Sequence, residues 1–124
     1  MKFLDSSIWL AYLVEASKKA TDIIETEDAL FCSILTLFEI KKKLILSKMA
    51  EKEIKNSIEF LKTRSALVDI NEEIINIAAD QSINNKLSTV DSIIYASALH
   101  MESIFITADN DFRGLDNVEI IDKN

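Results

Sequence analysis

The sequence predicts an α/β domain built as three layers, α/β/α, around a central, mostly parallel sheet of about five short strands. Three observations predict it. Short apolar runs recur at residues 2–4, 29–32, 66–68, 104–106 and 118–121. Between them stand longer stretches whose apolar residues keep helical spacing. Parallel neighbours need crossovers, and crossovers lay helices over both sheet faces. A length of 124 residues suits one domain, here taken as 1–124.

With Gly 1 and Pro 0, turn signals are scarce and element boundaries must come from periodicity and caps. Lys2-Phe3-Leu4 is a first strand ending in Asp5. Ile8, Trp9, Tyr12 and Leu13 then share a helical face, and a second short helix carries Ala20, Ile23 and Ile24, with Ser17 or the pair Lys18-Lys19 near the break. Ala29–Cys32 is too short for a helix and suits a buried strand, after which Ser33 is a natural N-cap for a helix to about Ser47. Ile54, Ile58 and Leu61 mark a helix over residues 50–64. Ala66–Val68 is a brief strand, and Asn71 caps a helix whose expected core face is Ile74, Ile75, Ala78 and Ala79. Ser88-Thr89-Val90-Asp91 has capping-box spacing and opens a helix with Val90, Ile93, Ile94, Ser97, Ala98 and Met101 on one side. Ile104–Ile106 and Val118–Ile121 complete the sheet.

Composition narrows the function. The hydrophobic 48% and charged 28% are those of a folded globular chain. No apolar run approaches the roughly 20 residues of a membrane helix, so no membrane role is expected. Lys2 is followed at once by Asp5, unlike a signal peptide. The single cysteine, Cys32, sits in an apolar run; it is expected to be buried and inert, and it agrees with a reducing cytoplasm. With His100 the only histidine, a Cys/His zinc site is not expected. The net charge of −7 argues against a nucleic-acid partner, yet residues 40–64 carry eight basic and three acidic side chains, leaving −12 elsewhere. That segment suits a backbone-contacting face and a solvated helix surface equally.

Four acids stand near strand ends or helix starts: Asp5, Glu39, Asp91 and Asp109, with Asp111 as a possible fifth. In a parallel sheet with right-handed crossovers the carboxyl ends of the strands share one edge, where ligands bind. Each acid has a bland alternative. Asp5 could cap the helix from Ser6, Asp91 could pair with Ser88, and Asp109 or Asp111 could hold a turn. Glu39 has no cap to make, since it lies among Leu35, Leu37, Phe38 and Ile40. Its place one turn into a helix sets it back by about 6 Å, which suits the longer acid. One like-charge pair at 4 Å costs on the order of 4 kcal/mol at an effective dielectric of 20. Converging acids therefore hold protons or a hard cation. Carboxylates without His or Cys point to Mg²⁺ or Mn²⁺, ions that serve phosphate chemistry.

Phe3-Leu4-Asp5-Ser6-Ser7, Leu37-Phe38-Glu39-Ile40, Val90–Ala98 and Ile106-Thr107-Ala108-Asp109-Asn110-Asp111-Phe112 together resemble a PIN domain. The likeness spans essentially the whole chain and is greatest to the small kind typified by VapC toxins of toxin–antitoxin pairs. It implies a metal-dependent endoribonuclease whose acids are Asp5, Glu39, Asp91 and Asp109, with Ser6 and Thr107 as polar supports. It also implies a homodimer and an antitoxin partner. One departure is Met101-Glu102, where such proteins often carry Gly or a small residue before the fourth strand. Trp9, Tyr12 and Tyr95 could stack on RNA bases, but their spacing favours packing. Two other classes are less well supported. A receiver-like phosphoacceptor would need a lysine after a late strand, and none occurs before Lys123. A PIN-fold binding module without activity would not need all four acids.

Overall fold

The computed structural model describes residues 1–122. Lys123, the lysine weighed above, and Asn124, the end of the expected domain, lie outside the described residues. These form five strands: β1 (Lys2–Leu4), β2 (Leu30–Ser33), β3 (Ala66–Val68), β4 (Ile104–Thr107) and β5 (Val118–Ile120). The helices are α1 (Ser6–Leu13), α2 (Lys18–Ile24), α3 (Ile34–Leu46), α4 (Glu51–Arg64), α5 (Glu72–Asn85) and α6 (Thr89–His100). The sheet order is β3-β2-β1-β4-β5, and every neighbouring pair is parallel, with Phe3 opposite Phe31 and Phe105.

Alternation along the strands assigns each helix layer. Leu4, Leu30, Cys32 and Ile106 face Ile8 and Trp9 of α1, Ile24 of α2, Ile40 and Leu44 of α3, and Leu61 of α4. Phe3 and Phe105 turn to the other face, against Ile94, Tyr95 and Ala98 of α6 and Phe112. α5 packs on α6 and adds Ile74 and Ala78. Cys32 is buried, as expected, and burial pushes its thiol up to about 11, which disfavours the reactive thiolate.

The expected caps at Ser33, Asn71 and Ser88 form, accepting from the amides of Leu35, Ile74 and Asp91, and Ser17, placed only near a break, also caps α2 by accepting from the Ala20 amide. The core face of α5 differs from expectation. Ile74 and Ala78 are buried, but Ile75 is 44% exposed and Ala79 faces outward. α5 packs chiefly against α6, with Val68 and Ile70 beside Ile74 and Ala78, so one narrow stripe suffices. The segment 40–64 is not a uniform basic stripe either. Arg64 turns inward, where Nε donates to the Ile24 carbonyl at 2.6 Å and Nη2 to those of Thr26 and Asp28.

Two helices end in the same glycine-free turn. At the end of α6 the Ser103 amide donates to the Ala98 carbonyl (3.1 Å) and Glu102 to Leu99 (3.0 Å), with Glu102 at φ 52°. This is a Schellman ending, and its left-handed residue favours glycine. Lys48, φ 64°, closes α3 in the same way. Glu102→Gly is expected to stabilise the fold by about 1 kcal/mol, read as a higher melting temperature. A lower one would mean the glutamate contributes something beyond the turn.

Candidate active site

β1 lies at the point where strand order reverses, with β2 on one side and β4 on the other. A crevice opens at such a switch point, beyond the strand ends. Asp5 sits at its floor, 4% exposed, with its amide bonded to the Ile106 carbonyl at 3.0 Å. It occupies the N-cap position of α1 without a side-chain cap bond. Its carboxylate is used elsewhere: Thr107 Oγ1 donates to Oδ2 at 2.7 Å, and Ser7 Oγ donates to the same oxygen at 2.9 Å.

Those two hydroxyls are themselves held. The Ala108 amide donates to Ser7 Oγ at 2.9 Å and the Asp109 amide to Thr107 Oγ1 at 3.0 Å. Each hydroxyl has one proton, so with an amide on its lone pair it directs that proton at Asp5. The loop after β4 and the start of α1 thereby fix the Asp5 carboxylate from two sides. Burial pushes the Asp5 carboxyl above its ordinary range; the bonds from Thr107 and Ser7 oppose this, and the charge of Asp109 adds to it.

Glu39 is in the second turn of α3. Its Oε1 is buried without a hydrogen-bond partner among the described residues, a condition shared by Trp9 Nε1 and Thr36 Oγ1. Of the three groups only Glu39 is a carboxylate, and only it lines the crevice. Burial raises its carboxyl first, the Ser6 hydroxyl lowers it, Asp5 and Asp91 raise it, and Lys43 lowers it. Asp91, in the first turn of α6, is raised by burial and then by Asp5, with Ser88 opposing. Asp109 does hold a turn, since its Oδ1 accepts the Asp111 amide at 2.9 Å, and it lines the crevice as well.

Asp5, Glu39, Asp91 and Asp109 thus border one cavity of about 500 Å³. Asp111 approaches from outside: one carboxylate oxygen each from Asp91, Asp109 and Asp111 lies within 4.8 Å of the others. Asp109 and Asp111 thus both stand beside Asp91, and of the two only Asp109 borders the cavity. Both expected supports, Ser6 and Thr107, stand beside the acids, and Ser7 joins them. Thr107 braces Asp5, but its second brace is Ser7, whereas Ser6 acts on Glu39. The spacing Asp-x-Ser at a helix start was the available signal for Ser7. Trp9 and Tyr95 are buried, Tyr95 donating to the Asp116 carbonyl at 2.6 Å. Tyr12 stacks on Phe60 with centroids 5.6 Å apart. All three aromatics serve packing.

A family model described as PIN domain matches residues 2–118. The chain belongs to the PIN domain family. Its fold is shared by the toxin-antitoxin complex from Klebsiella pneumoniae, at 20% identity over 96% of each chain and a TM-score of 0.78. It is also shared by VapBC2 from Rickettsia felis bound to a DNA fragment from their promoter, at 13% identity, 98% and 97% coverage and a TM-score of 0.76. A third likeness is to VapC20 of Mycobacterium tuberculosis, a sarcin-ricin loop cleaving toxin, at 16% identity, 94% and 95% coverage and a TM-score of 0.74. Comparison by sequence with curated proteins gives no match. No helix among the described residues of this PIN domain is long and apolar enough to cross a membrane.

The donor set of this PIN domain fits a hard divalent cation. It is all carboxylate oxygen, and three of those oxygens can reach a common point. An added positive charge in the cavity would also offset the burial, and then the mutual repulsion, that raise Glu39 and Asp91.

Proposed function

We propose that this PIN domain is a metal-dependent endoribonuclease, folded as a single domain over residues 1–124 and acting as the toxin of a toxin–antitoxin pair. The observation that carries the reading is the convergence of Asp5, Glu39, Asp91 and Asp109 on one cavity, three of them pushed above their ordinary range by burial and by one another. The toxin label is supported by the likeness to toxin–antitoxin complexes and to a toxin that cleaves the sarcin-ricin loop. A cytoplasmic homodimer held in check by an antitoxin protein completes the proposal.

Asp5, Glu39, Asp91 and Asp109 would hold Mg²⁺ or Mn²⁺, with Asp111 in reach. When bound, the ion supplies a water acidified toward neutral pH and charge stabilisation at the phosphoryl oxygens. The chain's own residues do the rest. Thr107 and Ser7 fix one oxygen of Asp5, so its orientation is set before substrate arrives. Glu39 presents an oxygen whose hydrogen-bonding capacity no protein group takes up, ready to accept a proton or a ligand bond. Ser88 holds the start of α6 and so the position of Asp91.

The test is cleavage of labelled RNAs, single-stranded and hairpin, in Mg²⁺ or Mn²⁺ and in EDTA. Endonucleolytic products that vanish in EDTA and return with added metal are expected. Intact RNA under all metal conditions, or equal cleavage in EDTA, would overturn the proposal.

A further inference from the structure

Among the described residues Lys43 is the one basic side chain on a cavity otherwise bordered by five carboxylates, hydroxyls and apolar groups. It follows Glu39 by four residues on α3, so the two share a helix face about 6 Å apart along the axis. Ser47 borders the cavity another turn on, but its hydroxyl donates to the Leu44 carbonyl at 2.8 Å, which leaves Lys43 as the donor on this wall. Lys43 is exposed, and none of the ion pairs among the described residues involves it. A lysine in the last turn of a helix complements the helix dipole in any case. That role does not require it to face the crevice.

An RNA strand with its scissile phosphate at the acids must carry its flanking phosphates across the rim. Asp5, Glu15, Glu39, Asp91 and Asp109 all border that space, so an unpaired phosphate is repelled nearly everywhere except beside Lys43. We propose that Lys43 is a phosphate-binding residue that holds the phosphate next to the scissile one on the α3 side of the cavity, and so fixes the direction in which the strand crosses the acids. The inference rests on the nuclease reading and adds a substrate contact to it. Lys43 is a point-charge donor with a long stem, which suits a backbone phosphate and gives no base preference.

The experiment is steady-state cleavage of a labelled single-stranded RNA in Mg²⁺, from about 50 to about 300 mM KCl, by wild type, Lys43→Ala, Lys43→Arg and Lys52→Ala. Lys52 lies on α4 and does not border the cavity, so its variant removes the same charge elsewhere. Lys43→Ala is expected to raise KM about three- to five-fold with kcat little changed. It should also flatten the salt dependence by roughly 0.7 in slope, the share of one single-strand phosphate contact. Lys43→Arg should recover most of the loss, and Lys52→Ala should match wild type. A Lys43→Ala KM equal to that of Lys52→Ala overturns the inference. So does a loss confined to kcat, or an altered rise in melting temperature with Mn²⁺, because either would mean that Lys43 acts through Glu39. If wild type itself cleaves no RNA, the nuclease reading fails and this inference falls with it.

Discussion

Asp5→Asn is expected to abolish RNA cleavage, by on the order of 10²-fold or more, and at the same time to raise the melting temperature of the metal-free protein. Both effects come from one carboxylate. Asp5 is 4% exposed, and burial pushes its carboxyl upward despite two hydroxyl donors. At neutral pH the metal-free protein therefore carries either a desolvated charge or a proton taken up at a free-energy cost. Asparagine removes that cost, and its side-chain oxygen still accepts from Thr107 and Ser7. A gain on the order of 1 kcal/mol corresponds to roughly 4 °C for a chain of this length. Asp5→Ala should behave differently, because Thr107 and Ser7 would lose their acceptor, at about 1–3 kcal/mol. The pair of variants separates loss of charge from loss of the acceptor. Melting curves in EDTA together with RNA cleavage in Mg²⁺ check both halves. Undiminished cleavage by Asp5→Asn would remove Asp5 from the active site, and a lower melting temperature would show that its charge is well solvated.

What the sequence made legible, and what it did not, follows from where the information resides. The strands, the alternation and the caps rest on local rules, and Ser33, Asn71 and Ser88 each cap the helix expected of them. Glu39 stood out because an acid within an apolar helix face has no local use. Asp109 shows the limit of weighing bland against functional roles, since it holds its turn and borders the cavity as well. Turn positions were hidden because Ala16, Lys48, Lys86, Glu102 and Asn117 take left-handed backbone that glycine usually signals. The division of labour between Ser6 and Ser7 depends on which way two adjacent side chains leave α1, and adjacent positions differ by 100° of helix rotation. The exposure of Ile75 depends on α5 packing mainly on α6 through a single stripe, which no pattern within α5 records. Lys43 was counted with a basic segment; only the fold sets it apart from Arg64, which is occupied by three backbone carbonyls.

Millimolar Mn²⁺ is expected to raise the melting temperature of the wild type, and the rise should grow with pH. In the metal-free protein Asp5, Glu39 and Asp91 all have carboxyls raised above their ordinary values. Between the unfolded value, about 4, and the higher folded values, the native state binds protons that the unfolded chain has released. Stability therefore falls as pH rises through that window, the opposite of the usual salt-bridged carboxylate. Cation binding requires the ionised forms and so competes with those protons. The stabilisation by Mn²⁺ should be small at acidic pH, where these carboxyls hold protons, and grow as pH rises past their raised values. At a metal concentration of about 100 times Kd it amounts to about 2.7 kcal/mol, roughly 10 °C here. Asp91→Asn, which removes the acid adjacent to both Asp109 and Asp111, should lose most of the rise. The slope in metal-free buffer should also weaken in that variant, because one raised carboxyl is gone and Glu39 loses a neighbouring charge. Mn²⁺ effects that are independent of pH, or equal in wild type and Asp91→Asn, would place the ion elsewhere on this acidic surface. They would leave the convergence of acids as a feature of folding alone.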